Sequence, residues 1–158
     1  MASITTCLWH ATDAEEAANF YVSLVPDSRI DTVHRNPVDA PGGKEGTVLQ
    51  VEFTLAGRPF TALNGGVGMP YTDAISIALT VDTQAEIDRL WEGLTAGGKA
   101  VQCGWLKDRW GVSWQIVPRQ LGKLLGDPDR AKAGRAMQAM LKMVKLDIAE
   151  LQRAFDGT

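Results

Sequence analysis

Few side chains in this sequence could carry out acid–base or nucleophilic chemistry. His10 lies near the end of an apolar segment, Thr5 to Ala11. Its ring could transfer protons, because imidazole titrates near neutral pH, or it could bind a metal as a lone ligand. A strand-end histidine bonded to a neighbouring residue is the plainer interpretation. The other histidine, His34, lies beside a loop and is expected to face solvent.

The two cysteines, Cys7 and Cys103, belong to no CxxC motif and no Cys/His cluster, which argues against a disulfide framework and a structural zinc site. Cys103 could act as a nucleophile if Lys107 or Arg109 favoured its thiolate. The sequence places no base beside it, so a buried structural thiol is preferred. We expect both thiols to be reduced and the protein to be cytoplasmic.

Composition excludes two classes of partner. The 158 residues carry a formal net charge of -3, which gives no basic surface for nucleic acid or an anionic membrane. Residues 1–9 lack a secretory-signal pattern, and no run approaches the roughly 18 apolar residues of a membrane span. We therefore expect a small-molecule ligand, with no nucleic-acid and no membrane partner.

The elements that would position these side chains begin with a strand at 5–11 and a helix from Ala14 to about Leu24. Asp13 is the predicted N-cap of this helix, and Glu16 occupies the reciprocal capping-box position. Three extended runs follow, with Ala56-Gly57 as a tight hairpin turn between the last two. The predicted strands are Arg29–Arg35, Thr47–Leu55 and Arg58–Asn64.

The same order returns after the loop at 65–72. A strand is predicted from Ile75 to Val81, and Thr83 and Glu86 form a second capping box. The helix that they open ends at Gly97-Gly98, and further strands are predicted at Lys99–Cys103, Trp105–Lys107 and Val112–Val117. The helix starts lie 70 residues apart. The pattern therefore predicts a βαβββ unit used twice, although pattern alone leaves chance similarity open.

Residues 123–158 are predicted to form a long amphipathic helix. Asp127-Pro128 offers an N-cap with proline at the first helical position, and Gly157 occupies the C-cap position. An apolar stripe recurs at steps of four and three residues: Met137, Leu141, Val144, Ile148, Leu151 and Phe155. This stripe either closes the chain's own core or docks on a second subunit.

Alternation along the predicted strands separates apolar from polar faces. In the last strand Trp114 and Ile116 share one face, and Gln115 lies on the other. Ser76 likewise lies opposite the apolar residues of its strand. By residue type alone the small polar face is expected to meet solvent, and the alternative is that it lines a ligand cup.

Four stretches of the chain occur together in a distinctive order: Leu8-Trp9-His10 through Ala14–Ala17 to Phe20-Tyr21; Ala62–Gly66; Cys103–Pro118; and Met140–Leu151. Together they resemble the PhnB-like family of the vicinal-oxygen-chelate (glyoxalase/bleomycin-resistance) superfamily. The resemblance implies an α+β fold of paired βαβββ modules, about 3–66 and 73–118, in a single domain, 1–122. It also implies a homodimer, with the helical segment 123–158 packed on the domain or on the partner.

In metal-dependent members of that superfamily, histidine and glutamate side chains hold a divalent cation that chelates vicinal substrate oxygens. The resemblance places those ligand positions near Thr6, Ala62 or Asn64, Ser76 and Gln115, none of which is a histidine or a carboxylate. Neutral hydroxyl and amide oxygens bind transition metals weakly, so we predict no tightly bound metal and no cofactor. The predicted ligand-binding residues are Thr6, Leu8, His10, Asn64, Ser76, Trp105 and Gln115, with His10 as the candidate catalytic group.

The resembled family is often labelled 3-demethylubiquinone-9 3-methyltransferase, but the residues do not support methyl transfer. Asn64-Gly65-Gly66-Val67-Gly68 follows a strand, yet Met69-Pro70-Tyr71 cannot open the helix that an S-adenosylmethionine site requires. Close backbone approach, or a linker between modules, explains these glycines better. Whether the protein is an enzyme is left open.

The leading hypothesis is a metal-independent protein that binds a small molecule and could act on it. One alternative is a non-catalytic protein that sequesters a toxic compound, as bleomycin-resistance relatives do. The other is a weakly metal-dependent lyase, isomerase or dioxygenase-like enzyme whose ligands are His10 and a carboxylate such as Glu52.

Overall fold

The computed structural model describes all 158 residues and divides into two units, Met1–Pro70 and Tyr71–Thr158. Each unit contains one four-stranded sheet and begins with the order strand, helix, three strands. The repeated βαβββ pattern predicted from the sequence is therefore confirmed. The C-terminal helical segment belongs to the second unit.

The first unit comprises β1 (Thr6–His10), α1 (Ala14–Leu24), β2 (Arg29–Arg35), β3 (Val48–Leu55) and β4 (Arg58–Asn64). Its strands lie in the order β1-β4-β3-β2, with β1 parallel to β4 and the other pairs antiparallel. Ala56 and Gly57 join β3 to β4 with φ of 46° and 77°, the left-handed backbone of a two-residue hairpin turn.

The core of the first unit lies between α1 and one face of this sheet. Tyr21 of α1 stacks on Phe53 at 6.4 Å between ring centroids, and Phe53 stacks on Phe60 of β4 at 5.6 Å. Val51 and Ala62 are fully buried beside them. These residues alternate along β3 and β4, so the ring contacts identify which face of the sheet carries α1.

The beginning of α1 differs from the prediction. Asp13 makes no side-chain cap, so the capping box expected at Asp13 and Glu16 is wrong. The amide of Ala14 instead donates to Oδ1 of Asn64 at 2.9 Å, and Oδ1 of Asp13 lies 3.2 Å from Nδ1 of His10. A β4 side chain therefore satisfies the helix start, which sequence spacing could not show.

The second unit has β5 (Ile77–Val81), α2 (Gln84–Thr95), β6 (Lys99–Ala100), β7 (Trp105–Lys107), β8 (Ser113–Pro118), α3 (Arg119–Leu125), α4 (Arg130–Met140) and α5 (Ile148–Asp156). Its strands lie in the order β5-β8-β7-β6, with β5 parallel to β8. The capping box at Thr83 and Glu86 is present as predicted. Helix α2 packs on β7 and β8.

Trp114 is the largest fully buried side chain of the second unit. Leu106 and Ile116 share its face of the sheet and are also fully buried. Asp108, which is 3% exposed, accepts the indole Nε1–H of Trp114 at 2.9 Å and the amides of Trp110 and Val112. The buried carboxylate therefore holds the β7–β8 turn and the core tryptophan together.

The predicted long C-terminal helix is divided into α4 and α5, and α3 precedes them. The N-cap of α4 is Asp129 rather than Asp127. Between the helices, the carbonyls of Met143 and Val144 accept the amides of Cys103 and Gly104, at 2.9 and 2.8 Å. These carbonyls bond to the β6–β7 loop, and a new helix begins after Asp147, which caps the amide of Glu150.

The tail helices enclose their own apolar cluster: Leu121, Leu124, Ala136, Met143, Leu146 and Leu151. Met137, Leu141 and Val144, which belong to the predicted stripe, are exposed. The division of the helix therefore separates that stripe into buried and exposed residues. None of the helices combines the length and apolar character that a membrane span requires.

Candidate functional site

The site residues predicted in the first unit lie on the sheet face that carries α1. Leu8 and His10 are paired in register with Ala62 and Asn64, and all four are at most 5% exposed. Thr6 shares this face but is exposed at the beginning of β1. The structure thus brings Leu8, His10 and Asn64 together inside the packed interior of the unit.

Both amide atoms of Asn64 have protein partners. Oδ1 accepts from Ala14, and Nδ2 donates to the carbonyl of Val48 at 3.0 Å. His10 pairs with Asp13 through Nδ1. Contact of a ligand with His10 or Asn64 stays a prediction, and it would require these side chains to exchange their present partners.

The other face of the first sheet carries Glu52. By strand register Glu52 lies opposite Thr61, whereas His10 lies beside Ala62 and Asn64 on the α1 face. Oε1 of Glu52 pairs with Nε2 of His34 at 3.0 Å, and His34 is exposed to solvent, as the sequence predicted. His10 and Glu52 therefore project from opposite faces and do not form the metal pair considered above.

The predicted residues of the second unit meet on one surface. Nε2 of Gln115 donates to Oγ of Ser76 at 2.9 Å, and Trp105 of β7 is the register partner of Gln115. All three are half-buried and lie on the face opposite Trp114. An aromatic ring beside a hydroxyl–amide pair is a suitable surface for a small ligand, because it combines apolar contact with directional hydrogen bonds.

A charged group, which sequence reasoning missed, adjoins these residues. Lys99, Lys107 and Ser113 form one row across β6, β7 and β8, on the same face as Trp105 and Gln115. Nζ of Lys107 lies 2.5 Å from Oδ1 of Asp73, and the buried Ser113 hydroxyl donates to the same oxygen at 3.4 Å. We call this surface, formed by Asp73, Ser76, Lys99, Trp105, Lys107, Ser113 and Gln115, the polar face.

Lys107 has the largest effect on the ionisation of Asp73 in the polar face. The hydrogen bond from Lys107 lowers the pKa of Asp73 below its usual 3.8, and Ser113 and the charge of Lys99 act in the same direction. Alternation along the β7–β8 hairpin could have placed Lys107 and Ser113 together. Asp73 lies in the preceding loop, where no periodic pattern indicates its position.

The other chemical candidate, Cys103, is a half-buried free thiol. Its backbone has a left-handed φ of 56°, and its amide donates to the carbonyl of Met143. These contacts concern the backbone and fix the path of the β6–β7 loop. The structure therefore gives Cys103 a conformational role and supplies no geometry for nucleophilic catalysis.

Gly65 and Gly66 are explained by close approach, as the sequence indicated. A Cβ atom on Gly65 would lie 1.9 Å from the indole ring of Trp9, and one on Gly66 would lie 1.9 Å from the carbonyl oxygen of Pro41. The indole Nε1–H of Trp9 also donates to the carbonyl of Val67. The glycine run therefore accommodates a tryptophan and a neighbouring loop.

An open depression of about 510 Å³ lies beside the start of α1. Its wall includes Asp13, Glu15, Glu16 and Asn64. Asp13 and Asn64 already bond to His10, Ala14 and Val48. The depression therefore combines carboxylates with apolar surface that includes Val48, but it has no aromatic ring such as that of Trp105 on the polar face.

The positions that hold a metal in the resembled superfamily do not fit a tightly bound transition metal here. Ser76 and Gln115 bond to each other, Asn64 caps α1, and Ala62 has no donor atom. No cluster of three or more histidine, cysteine, aspartate or glutamate side chains is arranged to hold a cation. Neutral oxygens alone bind such metals weakly.

Comparison with known proteins agrees with this architecture. The sequence profile of the family described as 3-demethylubiquinone-9 3-methyltransferase matches residues 2–117. The PhnB protein of Bacillus cereus is 37% identical, with a TM-score of 0.67, and the match covers 74% of this chain and 99% of that protein. No curated protein is significantly similar to the chain.

More distant structures share the fold. A protein from Pseudomonas aeruginosa is 19% identical with a TM-score of 0.63, over 75% of this chain and 98% of that one. A fosfomycin resistance protein from Listeria monocytogenes is 13% identical with a TM-score of 0.53, over 78% and 97%. The profile match and the 37% identity identify the chain as a member of the 3-demethylubiquinone-9 3-methyltransferase family, the PhnB-like branch of the vicinal-oxygen-chelate superfamily.

Proposed function

We propose that this protein binds a small molecule on the polar face of its second unit without a bound metal. The hydrogen-bonded pair of Ser76 and Gln115 beside the half-exposed ring of Trp105 carries the proposal. Gln115 and Ser76 would orient the ligand, and Trp105 would supply apolar contact. The other predicted ligand-binding residues have a smaller role in the proposal. Of these, Leu8, His10 and Asn64 are packed against α1, and Thr6 is exposed at the beginning of β1.

A thermal-shift screen against metabolites, followed by calorimetric titration of the hits, tests this site. Anything that binds the native state raises its melting temperature. Replacing Gln115→Ala removes one ligand hydrogen bond and is expected to weaken binding about fivefold to tenfold. Gln152→Ala, on the exposed side of α5, is the matched control. Hits that bind both variants as they bind the unmodified protein would place the site elsewhere.

The set of available donor atoms supports the proposed metal independence. Neutral oxygens at Ser76 and Gln115 and the engaged amide of Asn64 do not provide the charged or imidazole ligands that zinc, nickel or iron require. Incubation with each metal, followed by desalting and elemental analysis, is expected to leave far less than one ion per chain. Stoichiometric metal that is lost in Gln115→Ala would overturn this part of the proposal.

Sequestration is a second candidate function, which one observation favours. Proton transfer at neutral pH needs a base whose pKa lies near 7. The carboxylate on the polar face, Asp73, has its pKa lowered by Lys107, which makes it a weaker base. Incubation of each screening hit with the protein distinguishes the candidates: an unchanged compound supports sequestration, and product formation indicates an enzyme.

The family description names a methyl transfer, for which the fold offers no support. S-adenosylmethionine is usually bound on a doubly wound parallel sheet with a glycine-rich turn leading into a helix. Here Gly65 and Gly66 accommodate Trp9 and Pro41. We therefore propose no methyltransferase activity, and calorimetric titration with S-adenosylmethionine is expected to show no binding.

We further propose a cytoplasmic homodimer. The free thiols of Cys7 and Cys103 fit a reducing compartment, and Met137, Leu141 and Val144 are exposed apolar residues that a second copy could cover. Sedimentation equilibrium measures the mass directly. A monomer at all concentrations would contradict the dimer.

A further inference from the structure

The polar face combines two cationic side chains with one carboxylate that belongs to the protein itself. Lys99 and Lys107 are register partners on adjacent strands, so both ammonium groups project from the same side of the sheet. Asp73 bonds to Lys107 and to Ser113 from the loop before β5. Two positive charges thus face one negative charge.

The three groups differ in how firmly they are held. Ser113 is 3% exposed and fixed in β8, and the Lys107 side chain is 33% exposed on β7. The Asp73 side chain is 73% exposed and lies in a loop. The ammonium and the hydroxyl therefore stay with the sheet, while the carboxylate can move away at little cost, because exposed ion pairs contribute little stability.

From this geometry, and resting on the function proposed above, we infer that the ligand carries an oxyanion, and that Asp73 occupies the oxyanion position until the ligand displaces it. A carboxylate or a phosphonate would accept hydrogen bonds from Lys107 and Ser113, as Asp73 does here. Lys99 adds a second positive charge at longer range. The remainder of the ligand would lie against Trp105 and bond to Gln115 and Ser76.

The arrangement around Asp73 supports the inference in a second way. Its pKa is lowered chiefly by the bond from Lys107, so the carboxyl is ionised at neutral pH and competes with other anions for the same donors. Removing its charge should therefore strengthen the binding of an external anion.

Three small probes of similar size test the inference: phenylphosphonate, benzoate and the neutral benzyl alcohol. Each is titrated at low ionic strength into isotope-labelled protein, and binding is followed by the NMR signal of the Trp105 indole N–H, assigned with Trp105→Phe. Both anions should bind more tightly than benzyl alcohol. The tighter of the two identifies whether a phosphonate or a carboxylate is the preferred oxyanion.

Two variants should change the affinity of the protein for the anions in opposite directions. Asp73→Asn should raise their affinity by up to about fivefold, the range of a surface ion pair. Lys107→Gln should lower it about tenfold, because a charge-assisted hydrogen bond is lost. Glu92→Gln and Lys123→Gln are exposed controls with the same changes in charge, and they should leave affinity unchanged.

The inference is overturned if anions bind no better than benzyl alcohol, if no probe binds, or if Lys107→Gln leaves anion affinity unchanged. A neutral screening hit that still depends on Gln115 would then preserve the proposed function while the oxyanion inference fails. Conversely, anion binding that depends on Lys107 but not on Gln115 would support the inference and remove the orienting role of the amide.

Discussion

The two units share one topology but use the polar residues of their last strands differently. In the first unit Asn64, at the end of β4, points to the helix side and caps α1. In the second unit Gln115 of β8 points away from the buried Trp114 and bonds to Ser76. Helix α2 begins with its own capping box, so its start needs no side chain from β8. The comparison shows that the amide of Asn64 is used to start a helix, whereas that of Gln115 is not.

The largest effect is expected from the helix side of the first sheet. Phe53→Ala removes a ring that stacks on Tyr21 and Phe60, and should lower the free energy of unfolding by about 3–5 kcal/mol. Glu52→Ala, its neighbour on the other face, should cost less than about 1 kcal/mol. Denaturant unfolding followed by circular dichroism measures both. Equal losses would mean that the two faces do not differ as described.

A smaller effect should distinguish the two helix starts. Asn64→Ala leaves the amide of Ala14 and the carbonyl of Val48 without their partner and should cost about 1–3 kcal/mol. Thr83→Ala, which breaks the capping box of α2, should cost about 1 kcal/mol.

Asp13→Ala is the control for Asn64, because Asp13 is the sequence-predicted cap but makes no capping bond. The same unfolding experiment should show a smaller loss than for Asn64→Ala. A loss from Asp13→Ala that equals or exceeds that of Asn64→Ala would restore the sequence-based assignment.

The smallest effect is an acid-dependent one at α2. The Thr83 hydroxyl and the amides of Asp82 and Thr83 lower the pKa of Glu86 below 4.5. Because the folded pKa is lowered, this stabilisation is present above the unfolded value and disappears as the pH falls through the folded value. Glu86→Gln should therefore flatten the stability profile below about pH 4.5, the ordinary glutamate pKa. An unchanged slope would contradict the capping role.

Much of the fold was predictable from the sequence, because period-two and period-3.6 patterns and turn residues are local signals. The bounds of α1, β2, β4 and β7 agree with the predictions. The group that caps the start of α1 was not predictable, since the acceptor, Asn64, is 50 residues away along the chain. The break between α4 and α5 likewise depends on bonds to Cys103 and Gly104.

The candidate site was predictable only where strand parity and the family resemblance acted together. The residues selected in this way, Ser76, Trp105 and Gln115, lie on one face of the second sheet in the structure. In the first sheet, parity correctly grouped Leu8 and His10 but could not say which side α1 covers. Asp73 was missed because a loop residue has no periodicity, although it pairs with Lys107 on the polar face.

The hydrogen bonds from Cys103 and Gly104 to Met143 and Val144 connect the segment that the family profile matches to residues beyond it. The family profile matches residues 2–117, whereas the carbonyls that accept hydrogen bonds from the β6–β7 loop belong to residues 143 and 144, beyond the matched range. A fragment that ended at residue 117 would expose both amides and remove Leu146 from Gly104. We therefore expect that a fragment with this fold must extend past the residues that the family profile matches, far enough to keep these hydrogen bonds.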